Sequence, residues 1–258
     1  MKALAYLKTA LVAAALSLGI SLSAVAADAG KAASGKHPDL SGVWVTFQTD
    51  RPGGRFGLPA GPNLTKEGKK MVADFKAKYD LTDLEPGAYC VPGGMPTEMF
   101  GGGSYPFEII QQPDRITLLN ELEMQVRRIY MDGRGHPDDF PHTRGGHSIA
   151  HWEGDTLVVD TALLKAWPIE MWPHTDDAHI VERISLKHRD EVEIRTSGFL
   201  GGDVGDIILV DDLTMTDPIY DGPQSIRLLA RKLDQKETLE YDCTEGNWWT
   251  AVEATEKK

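Results

Sequence analysis

From Phe107 onwards the chain is a succession of short runs in which apolar and β-branched residues alternate with polar ones. The runs are Phe107–Gln112, Ile116–Glu121, Met124–Met131, His147–Trp152, Leu157–Thr161, Ile180–Lys187, Val192–Ser197, Ile207–Thr214, Ile226–Leu233 and Thr238–Asp242. Turn residues cut them apart: Pro113-Asp114, residues 133–146, Glu153-Gly154, Arg189-Asp190, Gly201-Gly202 and Asp221-Gly-Pro223. Alternation with this punctuation predicts antiparallel strands. An earlier run, with Val43, Val45 and Phe47 alternating against Trp44 and Thr46, brings the total to about eleven. One helix is expected, capped by Thr65 and running to Tyr79, with Met71, Val72, Phe75 and Tyr79 as its apolar stripe. No βαβ rhythm and no fixed-period repeat is present. Gly101-Gly-Gly103 precedes a strand rather than a helix, so it is not a phosphate cradle. The pattern predicts an all-β domain with minor α content, an antiparallel meandering barrel or a sandwich, of which the barrel is the expectation.

The N-terminus has the form of a secretory leader. Lys2 and Lys8 give a basic start, Ala10 to Ile20 an apolar run, and Ala24-Val25-Ala26 a small-residue cleavage site. That run is too short for a stable membrane span, and no cysteine near Ala26 offers a lipid anchor. The expected organisation is a signal peptide over 1–26, a flexible linker over 27–37 and a single β-barrel domain over 38–258. The mature protein is expected in the periplasm or secreted. The whole sequence carries a formal charge of −12, an acidity that disfavours nucleic acid and anionic membranes as partners. In an exported chain the two cysteines, Cys90 and Cys243, read as a disulfide. It would close a loop of about 150 residues, stabilising by roughly 5 kcal/mol in the chain-entropy treatment.

Gly42-Val-Trp44 at the head of the first strand resembles the G-x-W start of lipocalin-type barrels, in which the Trp plugs the closed end. The resemblance implies a small-molecule barrel. The long Gly/Pro-rich segment Leu84 to Pro106 carries Met95, Met99 and Phe100. Draped over a barrel, these would either line a ligand cavity beside Trp44 or cover an open sheet end.

Most of the histidines crowd into residues 136–179: His136, His142, His147, His151, His174 and His179. Within the hairpin around Glu153-Gly154, His147, Ile149 and His151 share one strand face. A two-residue turn at Glu153-Gly154 places His147 opposite Asp160, an imidazole–carboxylate pair suited to a general base. A three-residue turn through Asp155 puts His147 opposite Thr161 instead, and both registers are open. Tyr130, Arg128, Arg134, His151 and His174 are candidate polar anchors for a substrate. Metal ligation by His147, His151 and His174 is a further reading, although a strand holds His147 and His151 about 13 Å apart. Gly146-His-Ser148 lacks the strand-to-helix elbow of a serine hydrolase.

Taken together, Arg128-Ile-Tyr-Met-Asp-Gly-Arg134, Gly146-His-Ser148, Trp152-Glu-Gly-Asp-Thr-Leu-Val-Val-Asp-Thr161 and Val181-Glu-Arg183 resemble a large group of exported bacterial proteins. The Pro38 to Trp44 start, the Cys90 to Pro96 segment and the Glu240 to Cys243 end fit the same group, whose activity is largely unassigned. Thr97 and His151 stand where that group leads one to expect a basic residue, and Ala162 to Trp172 is atypical of it. The expected function is cofactor-independent acid/base chemistry by a lyase, isomerase or hydratase on a small hydrophobic or aromatic molecule. His147 would be the base and Asp160 its orienter. The alternatives are a non-catalytic binding protein for a small apolar ligand and a His-ligated metal enzyme or carrier.

Overall fold

The computed structural model describes residues 37–51, 60–80, 91–103, 105–169, 171–195, 203–241, 252 and 254–256. The expected leader, most of the linker, Cys90 and Cys243 lie outside the described residues.

The strands wind in sequence order into a closed barrel: β1 (Gly42–Thr49), β2 (Phe107–Gln111), β3 (Arg115–Asn120), β4 (Val126–Tyr130), β5 (His147–Glu153), β6 (Thr156–Ala162), β7 (His179–His188), β8 (Ile207–Thr216) and β9 (Gln224–Lys232). Strand β9 pairs back onto β1 and closes the ring. The expected all-β barrel is therefore what forms, with one named α-helix among the described residues. One junction departs from the antiparallel meander. Strands β4 and β5 pair in parallel, through Ile129↔Ser148 and Tyr130↔Ile149. A parallel pair cannot be joined by a tight turn, so residues 131–146 travel back along the barrel wall before β5 begins. That crossover carries His136, Phe140 and His142 over the outer face.

Two expected strands do not form. Val192 and Ile194 instead pack on the outer face of β8, against a cluster that includes Ile208 and Val210. The side-chain amide of Gln48 takes the place of a partner strand, donating to Glu193 O (2.7 Å) and accepting from Arg195 N (2.6 Å). Residues 238–241 run without strand pairing, with Leu239 exposed. Their backbone is held by side chains, Leu239 N donating to Glu121 Oε2.

The head of β1 shows what its glycine and tryptophan do there. Gly42 has φ +126°, and a Cβ on it would lie 2.5 Å from Lys232 Cε. Lys232 crosses that gap to donate to Ser41 O (2.8 Å), with its ammonium 5.3 Å from the Trp44 ring centroid. Trp44 is buried and donates through Nε1 to Leu40 O. The helix α1 (Lys66–Lys78) starts as expected, with Thr65 Oγ1 accepting from Gly68 N (3.1 Å).

Inward positions alternate along every wall strand. Leu157 and Val159 on β6, Ile180 and Ile184 on β7, and Leu209, Leu213 and Met215 on β8 fill the core. Met95, Met99 and Phe100, at 0%, 2% and 3% exposure, pack into that same core beside Trp44 and Phe107. The 3-10 segment Thr97–Gly103 thus puts its apolar side chains into the barrel, where each contributes roughly 1.5–3 kcal/mol by burial. Met95, Met99 and Phe100 are buried core side chains in this structure.

Candidate functional site on the outer wall

The β5–β6 hairpin adopts neither expected register. Its turn is Gly154-Asp155, with Glu153 paired to Thr156 and His147 to Ala162. Gly154 has φ +62°, which the first position of such a two-residue hairpin turn requires. Asp160 therefore lies opposite Ile149, and the direct His147–Asp160 pair does not form. Both residues still point outward, because Ser148 and Thr161 occupy the inward phase.

A third residue bridges them. His136, delivered by the crossover, has Nδ1 2.8 Å from His147 Nδ1 and Nε2 3.0 Å from Asp160 Oδ1. From the start of β7, His179 Nε2 reaches the same oxygen at 2.7 Å. The result is a continuous chain, His147–His136–Asp160–His179, spanning β5, the crossover, β6 and β7.

The proton positions follow from the acceptor at its centre. A carboxylate only accepts, so both His136 Nε2–H and His179 Nε2–H donate to Asp160. Neutral His136 then presents a lone pair at Nδ1, and His147 must donate Nδ1–H to it. His147 Nε2 is left as an acceptor. Burial first, then His136 and Arg134, hold the His147 imidazole below its ordinary pKa of 6.5, so the ring is neutral at neutral pH. A neutral imidazole with a free lone pair, backed by a second imidazole and a carboxylate, is the arrangement of a general base.

Aromatic rings wall this nitrogen chain. The Tyr130 ring stacks on His147 at 5.3 Å, and Phe140 meets it edge-on at 5.2 Å. Arg134 lies 4.0 Å over the Tyr130 ring, its guanidinium forked onto Asp132. Under this cover only 5% of His147 is exposed. The crossover is tied down at its far end, where Thr143 exchanges backbone bonds with Leu163 and Lys165, and Leu164 O pairs with His142 Nδ1 (2.8 Å).

The remaining candidates lie elsewhere. His151 is exposed and contacts Glu153, which also holds Arg183. Arg128 points outward from β4 opposite Thr117 and is exposed. His174 is buried, with Nδ1 2.8 Å from Trp172 O, and burial lowers its pKa. His147, His151 and His174 thus keep separate company. No group of three or more His, Cys, Asp or Glu among the described residues is placed to hold a metal ion.

A polar layer across the barrel interior was missed by sequence reasoning. Arg127, inward from β4, donates to Ser148 Oγ (3.1 Å), Thr161 Oγ1 (2.9 Å) and both carboxylate oxygens of Glu182. Glu98 lies 3.8 Å from Arg127 Nε, beyond hydrogen-bond range. Asp211 is buried at 1% exposure, and burial together with the neighbouring Glu182 holds its carboxyl well above the ordinary range. The available signal was phase. Arg127 alternates with Ile129, Glu182 with Ile180 and Ile184, and Asp211 with Leu209 and Leu213, so each charge occupies an apolar position.

No family model and no curated protein matches the chain. Among solved structures, similarity extends to the zebrafish ileal bile acid-binding protein complexed with cholic acid. It is 14% identical, with 75% of this chain and 98% of that chain covered and a TM-score of 0.32. A likeness at that score carries no argument about this chain's ligand.

Proposed function

We propose that the outer-wall site engages a small hydrophobic or aromatic molecule bearing a transferable proton, and that His147 Nε2 accepts that proton. The observation that carries this reading is the order of the chain His147–His136–Asp160–His179. It leaves His147 neutral, with its lone pair pointing away from the relay. When Nε2 takes a proton, Nδ1 can pass its own to His136, and the positive charge comes to rest beside Asp160. Tyr130 and Phe140 supply aromatic walls, and His179 holds Asp160 in place. The reaction class is proton abstraction and return, as in a lyase, isomerase or hydratase, and the relay itself calls for no redox group. The leader motif supports an exported location for this activity, and Cys90 and Cys243 would be oxidised there.

A carrier without turnover is the second reading, favoured by the burial of His147 beneath Phe140 and Tyr130. The two separate in one variant. Replacing His147 with Ala should lower turnover of a responsive aromatic substrate by about 10²–10⁴-fold while ligand affinity changes little. Unchanged turnover in His147→Ala would rule out the catalytic role, and loss of affinity without any measurable wild-type turnover would leave the carrier.

A further inference from the structure

The outer-wall relay is covered unevenly. The side chains of Asp160 and His179 are 42% and 40% exposed and that of His136 22%, whereas His147 at the head of the relay is 5% exposed. A ring covered to that extent trades protons with water but has no free face for a molecule of aromatic size. Under the proposed function, on which this inference rests, part of that cover must move for a substrate to arrive.

The cover that is free to move is the crossover. Met131 N donates to Asp114 O, and the backbone of Thr143 is paired with Leu163 and Lys165. Between those two points, no backbone hydrogen bond joins residues 132–142 to the wall among the described residues. Side chains hold this stretch instead. Arg134 lies over Tyr130, Phe140 meets His147 edge-on, and His142 Nδ1 pairs with Leu164 O. At its middle, His136 makes the two bonds to His147 Nδ1 and Asp160 Oδ1. Gly133, at φ +79° with open space where a Cβ would stand, gives the near end a pivot. A segment without backbone pairing opens at far lower cost than a wall strand, whose ladder must break with it.

We propose that residues 132–142 are a lid over His147, latched by the relay's own His136, so that the relay breaks whenever the lid opens to admit substrate. Opening and proton abstraction then exclude each other. The closed lid holds His147 as a base, and the open lid exposes it without its partner. Acid works the latch. One added proton is tolerated, because a single proton still lies between the two Nδ1 atoms and the charge sits beside the Asp160 carboxylate. A second puts a proton on both nitrogens across a 2.8 Å gap, and His136 must leave. From β4 and its end, the groups around the latch are Arg128, level with His147 in the parallel pairing, Tyr130 and Arg134, which also feels Asp114. Asp160 and His179 face it from β6 and β7, and Asp132, Asp138 and Asp139 lie on the crossover itself. Burial, His136 and Arg134 all oppose a proton on His147, so the second proton is the costly one.

The test needs no substrate, so the lid and the base role can fail separately. The full chain, labelled with 13C and 15N in its histidines, is titrated downward from pH 7.5 in the presence of gadodiamide, a neutral gadolinium chelate. NMR reads the relaxation enhancement at each ring. At pH 7.5 the enhancement at His147 should be about fivefold weaker than at exposed His151, and it should come within about twofold of it once both His136 and His147 have titrated. Buried His174 should stay protected throughout, which separates lid opening from unfolding. His136→Ala should expose His147 already at pH 7.5. Phe140→Ala should raise its exposure at pH 7.5 and leave the acid step in place. Full enhancement at His147 at pH 7.5, titration of both rings without a rise, a parallel rise at His174, or continued protection in His136→Ala would each overturn the lid. A lid that opens as described, in a protein whose His147→Ala variant turns over normally, would uphold the lid and overturn the base role alone.

Discussion

His147 and Asp160 were legible as individual residues, but their connection was not. An outward imidazole on a hairpin and an outward carboxylate on its partner strand follow from alternation alone. The residue that joins them, His136, sits in a loop whose path no periodicity describes. Its role makes a prediction at this scale. Asp160→Asn presents an amide where a two-fold acceptor is needed, so His136 is no longer fixed as the Nε2–H tautomer. His147 Nε2 then loses its fixed role as acceptor, and turnover should fall by about 10²–10³-fold with substrate affinity retained, as a KM-against-kcat comparison would show. The acid limb has a definite sign as well. The folded pKa of His147 lies below 6.5, so its contribution to stability is complete above pH 6.5 and is lost as pH falls through the folded value. The 2.8 Å separation of the His136 and His147 Nδ1 atoms adds to this, because two protons cannot occupy that gap. Denaturant midpoints should therefore fall from pH 7 to pH 5 in the wild type, and fall less in His136→Phe, where that gap holds no second basic nitrogen.

At the level of elements, the hairpin and the crossover fix where the relay can form. The expected turn at Glu153-Gly154 missed the true one by a single residue, because Glu-Gly and Gly-Asp are both acceptable turn pairs in sequence. The positive φ of Gly154 decides between them. One shifted residue changed every cross-strand partner of His147. The parallel β4–β5 junction was invisible for a different reason: a long polar segment reads alike whether it makes a wide turn or travels the length of the wall. Two glycines separate these contributions. A Cβ at Gly154 meets nothing within 4 Å, so Gly154→Ala should cost only the positive-φ penalty of about 1 kcal/mol. At Gly146, with φ +67°, a Cβ would sit 2.6 Å from Ala162 O and 3.0 Å from Leu164 Cδ2. Gly146→Ala should cost about 3 kcal/mol and displace the start of β5 with His147 on it. Urea unfolding of the two variants gives both values, and equal costs would contradict this account of the crossover's anchorage.

For the whole molecule, the all-β class and the closed barrel were legible because alternation is a collective property that survives errors at any one strand. Of the two surplus strands, one is an apolar segment whose Val192 and Ile194 pack outside the barrel and the other an unpaired run with Leu239 exposed, and alternation distinguishes neither from a wall strand. Interior charges broke the pattern in a readable way, but a single charged residue in an apolar phase looks like a surface position until three strands place theirs at one level. That layer controls the basic limb of stability. Glu98 has a folded pKa of about 7 against an ordinary 4.5, so its contribution is complete below pH 4.5 and is lost as pH rises to about 7. The difference amounts to about 3 kcal/mol. Glu98→Gln should remove this slope and be more stable than the wild type at pH 8, as read from urea midpoints at pH 5 and pH 8. Residual slope of full size in the variant would place the titration elsewhere.

The central claim is the direction of the proton chain on the outer wall, and the histidine tautomers report it most directly. Long-range 1H–15N NMR of the folded protein at pH 7.5 should show His136 and His179 protonated at Nε2, and His147 protonated at Nδ1 with an unprotonated Nε2. A His147 ring protonated at Nε2, or a His136 ring protonated at Nδ1, would contradict the account.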